Sequence, residues 1–423
     1  MTSKKIIIAV IAVGVLAVSG WVYFGKKIAV ERQESGAVAS GIWVSQAEIM
    51  NLPTSGAAWD RVQNAANSSW GSACLYDNNC MHDVNTLAGA LVAARTGDAA
   101  MRNKTIAGLQ AAMGSSLSRA LELSRGLQTY IIAADIIGHR TPEFEAWVRE
   151  MITIGIQGHS GTGVLGTAEN SPNNWGGHAR ASLAAAAVYL NDATFTTKVV
   201  NAHKAFIGLS APNTMVYQST NWHADPNNKA GVNRKGSTIQ GKNVSGVLPE
   251  DWRRAAEYQW PPAVSGYMWE GIQGYVVAAV ILHRAGLVSF NAGDNAVVRA
   301  MDMLYGKGEA ASNSPVFLNP ASGDDTWIPW VVNAYAGTTY PTQAASAGKN
   351  MGWTDWTHAS PVSTQPPTKT SDLNSDGKVD VIDLGILLSS WGQTTKPKAD
   401  INQDAKVDVV DLGILLGKWG SSG

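Results

Sequence analysis

Apolar residues recur at the spacing of an α-helix along most of the chain between residues 42 and 357. Side chains that repeat every three to four positions form one face of a helix, and that face packs against a neighbouring element. The pattern predicts helices over 84–95, a following stretch that ends near 113, 117–137, 142–157, 179–190, 195–209, 268–285, 295–305 and 327–335. The segment 179–190 is alanine-rich and apolar on all sides, which predicts burial on more than one face.

Short connections between successive helices are typical of layered helical folds. We therefore predict a mainly α fold for residues 42–357, arranged as an (α/α) toroid or an incomplete α/α barrel. One stretch, 210–262, breaks the helical pattern because it is rich in Asn, Gly, Trp and Pro. It is too long for an ordinary connection, so we expect it to cross the open end of the helical domain and to carry function.

A continuous apolar run, residues 6–24, lies between two pairs of lysines near the N-terminus. At about 1.5 Å per residue, a helix of this length just spans a hydrocarbon layer of about 30 Å. Residues 1–27 are therefore predicted to form a transmembrane signal anchor, followed by a spacer over 28–41. A cleaved signal peptide is the alternative, since Ala17-Val18-Ser19 suits a cleavage site. Either way, the remainder of the chain is expected outside the cytoplasm, membrane-anchored or secreted.

The charge balance and the cysteines narrow the class of protein. The 423 residues include 32 basic and 33 acidic ones, so nothing in the net charge favours a nucleic-acid partner. Cys74 and Cys80 flank a polar, Asn-rich stretch, which predicts a small disulfide loop, with two free thiols as the alternative. A disulfide agrees with an oxidising, extracytoplasmic compartment. Most of the 16 tryptophans are expected to pack in the core.

The C-terminal residues carry the most specific motif of the chain. A Pro/Ser/Thr-rich stretch, 358–371, is predicted to be an extended linker, and residues 372–423 a separate small module. Within it, side-chain oxygens at positions one, three, five, nine and twelve of a twelve-residue loop occur twice, 28 residues apart. This is the spacing of an EF-hand-like calcium loop, in which the residue at position seven offers its carbonyl. The predicted ligands of two Ca²⁺ ions are Asp372, Asn374, Asp376, Lys378, Asp380 and Asp383, and Asp400, Asn402, Asp404, Lys406, Asp408 and Asp411.

A helix is predicted after each loop. The two helices carry matching apolar residues on one face, which are Leu384, Leu387, Leu388 and Trp391, and Leu412, Leu415, Leu416 and Trp419. Neither helix can bury that stripe alone, so the two should pack together. Without calcium the clustered carboxylates repel one another, and the module should loosen or unfold.

The duplicated loop and helix resemble a type I dockerin over roughly the last 50 residues. The resemblance implies a cohesin-type scaffold partner and an extracellular or cell-surface location. Two features depart from the family pattern. Ala405 stands at position six of the second loop, where glycine tolerates a positive φ better, so weaker calcium binding is expected there. Positions ten and eleven, often hydroxylic in dockerins, are the apolar Val381-Ile382 and Val409-Val410.

The central region holds four stretches with candidate chemistry. They are Asn173-Asn174-Trp175-Gly176-Gly177-His178, Asn221-Trp222-His223, Asp251-Trp252-Arg253-Arg254 with Tyr258, and Gly266-Tyr267 with Glu270. The first of them, next to a buried alanine-rich helix in an α-rich chain, resembles the alginate lyase superfamily of α/α-toroid polysaccharide lyases, over about residues 45–355. The resemblance implies cleavage of an acidic, uronate-containing polysaccharide by β-elimination, with no cofactor for catalysis.

Each chemical role required by β-elimination has candidates. Asn174 and Arg254 suit neutralisation of the uronate carboxylate, which acidifies the neighbouring C–H group. His178, His223 or a tyrosine is the candidate base, and Tyr258 or Tyr267 the candidate acid. Which histidine matches the family's histidine stays open, because Trp175-Gly176-Gly177 separate Asn174 from His178. Predicted substrate-binding residues are Asn173, Trp175, Trp222, Arg253 and Trp260.

Alternatives exist for the protein and for its residues. A glycoside hydrolase on the same toroid would use two carboxylates, from Asp135, Glu250, Asp251, Glu270, Asp324 and Asp325. A non-catalytic glycan-binding surface protein is a third possibility. Among the residues, Asn173 and Asn174 could cap a helix, and Trp222 could pack in the core. His82 and Asn85 are expected to cap a helix start.

Overall fold

A computed structural model describes residues 41–210, 214–345, 347–348, 350–361, 371–374, 376, 378–393, 398–401 and 407–420. The predicted N-terminal anchor, residues 1–27, and residues 362–370 of the predicted linker lie outside the described residues. None of the helices in the described ranges is both long and apolar enough to cross a membrane.

The chain is mainly helical, as predicted. Its first helices are α1 Gln46–Asn51, α2 Ala57–Asn67, α3 His82–Thr96, α4 Ala99–Met113, α5 Ala120–Ile136, α6 Pro142–Thr153, α7 Gly163–Asn170, α8 Asn174–Tyr189 and α9 Ala193–Phe206. After a short hairpin of β1 Thr238–Ile239 and β2 Lys242–Asn243 come α10 Pro249–Trp252, α11 Tyr267–Arg284, α12 Ala292–Tyr305, α13 Ile328–Ala336 and α14 Thr354–Thr357. Two 3₁₀ turns, Gly308–Ser312 and Gly323–Asp325, precede α13. The C-terminal module contains α15 Val381–Ser389 and α16 Val409–Gly417.

Helix α8 lies at the centre of the helical domain, with α5, α7, α9 and α11 packed around it. The predicted burial of its alanine-rich part is confirmed, since every residue from Ala179 to Ala187 is buried. Glycines allow the close approach of α8 and α11. A Cβ atom on Gly274 of α11 would lie 2.3 Å from the backbone nitrogen of His178, closer than any real contact. The two helix backbones therefore touch at this level.

The helices α3, α5, α8 and α11 form an inner row, each in contact with the next. The chain then returns to the start of the domain. The indole nitrogen of Trp353 donates to the carbonyl of Val84 on α3 (3.0 Å), and the rings of Trp356 and Trp59 on α2 lie 5.0 Å apart. His358, which the composition places in the linker, is buried beside Trp43. The helical domain thus includes residues up to at least 358.

Near the start of α3 lies the disulfide between Cys74 and Cys80, which confirms that prediction. His82 does not cap α3, contrary to expectation. It is buried within the first turn, and its Nδ1 lies 2.8 Å from the hydroxyl of Tyr130 on α5. The ring therefore packs and hydrogen-bonds across two helices instead of binding the end of its own.

Asp83, also in the first turn of α3, makes the stability of the domain dependent on pH. Burial raises the pKa of its carboxyl to about 8. An unfolded Asp titrates near pH 3.9, so between about pH 4 and 8 the folded state holds one proton more than the unfolded state. We expect Asp83 to contribute a fall in the free energy of unfolding of up to ~1.4 kcal/mol per pH unit between pH 5 and pH 8, measured by urea denaturation of the unchanged chain and of Asp83→Asn. The substitution should remove this contribution from the slope, and an unchanged slope would contradict the assignment.

The C-terminal module has its own small core. It is formed by Leu373, Val379, Leu387, Ala399, Ile401, Val407 and Leu415. The helices α15 and α16 pack together as predicted, but not along the whole predicted stripe. Leu388, Trp391, Leu416 and Trp419 are each about half exposed. Leu387 and Leu415 fill the space between the two helices, so the residues one position further along face solvent.

Candidate functional site

Three of the predicted catalytic residues come together from three separate elements. Asn174 is the first residue of α8, Arg254 follows α10, and Tyr267 is the first residue of α11. Arg254 Nη1 donates to Asn174 Oδ1 (3.3 Å), and the Arg254 guanidinium lies 3.4 Å from the centroid of the Tyr267 ring. Arg254 is exposed and Tyr267 is half-buried, so an amide, a cation and a phenol meet at an accessible edge of the domain.

Two further charged residues complete this cluster. Asn174 Nδ2 and Arg125 Nη2 both donate to Glu270 Oε2, each over 3.0 Å. The Arg125 side chain on α5 is only 4% exposed, whereas that of Glu270 is 23% exposed. The motifs did not predict Arg125. Its place among the buried positions of helix α5 was the available signal, because a buried arginine needs an anionic partner.

The Asn173 cap and a glycine at the start of α8 determine the position of Asn174. The Asn173 side chain caps α8 by accepting from the backbone N–H of Gly176, so the capping interpretation holds for Asn173. A Cβ on Gly176 would lie 1.8 Å from the carbonyl oxygen of Ser171, so this position of the motif must be glycine. The predicted helix over 179–190 begins earlier, at Asn174, and the motif forms its first turns. Asn174 is consequently held at a helix end.

Asp251 stabilises the same end of helix α8. Its Oδ1 accepts from the backbone N–H of Asn174 (2.9 Å), and the residue is fully buried. Burial raises the pKa of the Asp251 carboxyl to about 7, although the hydrogen bond from Asn174 and the charge of Arg254 oppose the shift. An anionic or partly anionic group at the N-terminus of α8 is favourable to the helix dipole. Asp251 therefore positions Asn174 without facing a substrate.

A second cluster of polar residues surrounds Glu250. This carboxylate accepts from Arg253 Nε (2.6 Å) and from the backbone N–H of Gln218 (3.0 Å), and its Oε1 lies 3.7 Å from His223 Nε2. Burial acts to raise the pKa of Glu250, but His223 and Arg253 outweigh it and hold the pKa below its usual value. Both His223 and Glu250 are buried.

His159, which no motif predicted, connects this group to the start of α8. Its Nε2 lies 3.2 Å from Asn173 Nδ2 and 3.0 Å from Gln218 Nε2. The Asn173 oxygen is used by Gly176, and the Gln218 oxygen accepts from Arg253 Nη2 (2.8 Å). Both amides therefore present their NH₂ groups to His159, so its Nε2 is the unprotonated, accepting nitrogen.

The remaining predicted residues lie elsewhere. His178 is fully buried between α8 and α11. Trp222 is buried against Trp252 and Tyr258, with ring centroids 5.3 and 4.8 Å away. The Tyr258 hydroxyl donates to the carbonyl of Ile239 (2.7 Å), and burial raises its pKa. Trp175 and Trp260 are both half-buried. The guanidinium of Arg119 lies over the Trp175 ring (5.3 Å to the centroid), and the indole N–H of Trp260 donates to the carbonyl of Pro315. The structure thus groups Asn174, Arg254 and Tyr267, whereas Tyr258 and Trp222 pack against each other and His178 is fully buried.

The calcium loops are described for most of the first copy and part of the second. Asp383 Oδ1 accepts from the backbone N–H groups of Leu373 (2.6 Å) and Asn374 (3.1 Å), which folds the end of the loop back on its start. In the second copy Asp411 Oδ1 accepts from Ile401 in the same way (2.7 Å). The predicted ligands Asn402, Asp404 and Lys406 lie outside the described residues, as does Ala405.

The donor types of these loops fit calcium. Carboxylate, amide and carbonyl oxygens at fixed spacing are what this hard cation takes. No three Asp, Glu, His or Cys side chains in the described ranges gather closely enough to hold a metal ion. The fit therefore rests on the donor set and its spacing, and not on a preformed cage.

Two acidic loops, each followed by a helix that packs on its copy, define a small calcium-dependent attachment module. Residues 370–417 match the family model of the dockerin type I domain, which confirms the resemblance for the C-terminus. Dockerin domains bind calcium and cohesin scaffold proteins, and proteins that carry them are typically extracellular or on the cell surface. The match does not extend into the helical domain, and no curated protein matches the chain.

Proposed function

We propose that this protein is an extracytoplasmic polysaccharide lyase that cleaves a uronate-containing glycan and is tethered through its dockerin. The single observation that carries the proposal is the contact between Asn174, Arg254 and Tyr267 at an accessible edge. The inner row of helices and the return of residues 353–358 to α2 and α3 support the proposed incomplete toroid. In this proposal residues 1–27 anchor the chain in a membrane or direct its secretion.

The cluster suits the first step of β-elimination. Arg254 and one N–H of the Asn174 amide bind the uronate carboxylate and stabilise the negative charge that develops as C5 loses its proton. Binding the charged group in a fixed place also orients the sugar for proton transfer. No step in this scheme requires a metal or an organic cofactor.

Proton transfer is assigned to Tyr267. Its phenol lies against Arg254, beside the bound carboxylate, and it is accessible. A base removes the C5 proton, the electron pair forms the C4–C5 double bond, the C4–O bond breaks, and an acid protonates the leaving oxygen. Tyr267 can serve in turn as base and as acid, because the proton it takes from C5 can be returned to the leaving oxygen. His178 and His223 are too deeply buried in this structure to touch a polymer directly.

Product chemistry tests the proposal. We expect the purified chain, mixed with a panel of polyuronates, to form an unsaturated uronide that absorbs ultraviolet light, and new reducing ends in equal number. A neutral polysaccharide of similar length should give neither signal. Reducing ends without any absorbance would refute the lyase and favour a hydrolase.

One observation keeps the glycoside hydrolase as a second candidate. Glu270 is partly exposed, and Gln273, one helical turn further along α11, donates to Asp325 Oδ1 (2.7 Å). Asp325 is also partly exposed, so these two carboxylates are the candidates for the acid and the nucleophile or base of a hydrolase. Of the other carboxylates named for this role, Asp324 is partly exposed, whereas Asp135, Glu250 and Asp251 have little or no exposed side chain.

A further inference from the structure

Glu270 accepts hydrogen bonds from a residue proposed to bind substrate and from a buried cation. We propose that Glu270 and Arg125 are positioning residues for the lyase reaction: together they fix the Asn174 amide without contributing a net charge of their own. The inference rests on the proposed function and deepens it, since it assigns a role to two residues that no motif placed in the reaction.

The orientation of the Asn174 amide is determined by the groups on either side of it. A carboxylate only accepts hydrogen bonds and a guanidinium only donates them. With Glu270 on one side (3.0 Å) and Arg254 on the other (3.3 Å), the amide nitrogen must face Glu270 and the oxygen must face Arg254. One N–H of the NH₂ group donates to Glu270. Because the amide is planar, this hydrogen bond also fixes the direction of the second N–H. Glu270 therefore determines where Asn174 donates.

The negative charge of Glu270 is balanced by Arg125. An isolated carboxylate next to the site would repel the carboxylate of a uronate sugar. Arg125 removes this difficulty, because its guanidinium binds the same Glu270 oxygen that Asn174 binds (3.0 Å). Arg125 is held among buried residues of α5 and lies beside the disulfide loop, with Nη1 3.4 Å from Asn78 Oδ1. The pair is neutral, and Arg254 remains as the exposed positive charge of the cluster.

Glutamine and alanine at position 270 distinguish a positioning role from a direct role in the chemistry. If Glu270 only accepts hydrogen bonds, glutamine can replace it, because its amide oxygen accepts from both Asn174 and Arg125. If Glu270 attacks the sugar or transfers a proton, as in a hydrolase, glutamine cannot replace it. Alanine removes the acceptor in either case. Comparing Glu270→Gln with Glu270→Ala therefore shows whether Glu270 positions Asn174 or takes part in the chemistry itself.

The experiment compares the full chain with its Glu270→Gln and Glu270→Ala variants on the most active polyuronate. We expect Glu270→Gln to keep kcat within about tenfold of the unchanged protein, with the same pH profile. Glu270→Ala should lower kcat about a hundredfold, because a misplaced Asn174 no longer lies where the charge develops. Equal loss in both variants, or loss in neither, would overturn the inference.

A charge-rescue pair tests Arg125 separately. Arg125→Ala should leave Glu270 without its counter-charge and raise KM for the acidic substrate. Adding Glu270→Gln to Arg125→Ala should restore part of the lost kcat/KM, whereas two independent defects would add. The control is Arg149→Ala, which removes an ion pair with Asp192. Neither residue belongs to the proposed site. Circular dichroism and thermal melting of every variant identify any that fail to fold.

Failure of the proposed function gives a different pattern. If the protein produces reducing ends without ultraviolet absorbance and Glu270→Gln is inactive, both the lyase and the positioning role are refuted. If absorbance appears but Glu270→Gln and Glu270→Ala are equally impaired, the lyase stands and the positioning role falls.

Discussion

Replacing Asn174 by alanine is expected to lower kcat on a polyuronate by about 10²–10³-fold, the usual effect of removing one donor from a preorganised charge-stabilising site. The side chain contacts Arg254 and Glu270, while only the backbone N–H of residue 174 contacts Asp251. The anchoring of α8 by Asp251 should therefore survive the substitution. Steady-state kinetics with ultraviolet detection of the product measures the effect.

The matched control is Asn67→Ala. Asn67 is an exposed asparagine at the end of α2, and its amide binds only the nearby carbonyl of Gln63 among the described contacts. Its replacement should leave kcat unchanged. Asn174→Asp provides a second comparison, because a carboxylate facing Glu270 would be repelled, and we expect at least as large a loss. Normal turnover by a folded Asn174→Ala protein would show that the site is elsewhere.

Removal of calcium is expected to unfold the dockerin. Among its described residues the core consists of seven buried apolar side chains, too few to hold a fold of this size without a further constraint. The acidic side chains of each loop repel one another unless a cation binds between them. A fragment of residues 359–423 should therefore gain helix on addition of Ca²⁺, seen by circular dichroism, and release or take up heat in calorimetry. Two sites of unequal affinity are expected, the weaker in the loop with Ala405.

Substitutions at the last loop position distinguish the two sites. Asp383→Asn should remove binding at the first loop and Asp411→Asn at the second, since each carboxylate also closes its own loop through backbone N–H groups. An exposed control, Lys418→Gln, should bind both ions. A fragment that is equally helical with and without calcium would contradict this account of the module.

The helical series was largely predictable from the sequence, because apolar periodicity reports which face of a helix is buried. The observed starts and ends of α3, α5 and α11 lie within three residues of the predicted ones. The start of α8 was placed five residues too late, at 179 instead of Asn174. Glycines have low helix propensity, so Gly176 and Gly177 conceal the first turn, which tertiary contacts and the Asn173 cap stabilise. Helices α1, α2 and α7 and the short helices α10 and α14 were not predicted at all.

The candidate site was predictable only in part. Asn174, Arg254 and Tyr267 belong to local motifs with recognisable chemistry. Arg125 could not be assigned in the same way, because it is 145 positions from its partner Glu270 in sequence. Periodicity shows that a residue is buried but not which distant group meets it. The exposure of Trp391 and Trp419 escaped prediction for a related reason, since the apolar stripe was longer than the contact between the two helices.

The close contact at Gly274 has a consequence for the proposed site. Tyr267 and Glu270 belong to the first turn of α11, and Asn174 to the first turn of α8, so the spacing of these polar side chains depends on the distance between the two helices. The helices meet one turn further in, where the absence of a Cβ atom on Gly274 lets their backbones touch. A larger residue at position 274 would push the two helix ends apart and change the spacing of the groups proposed to bind the glycan.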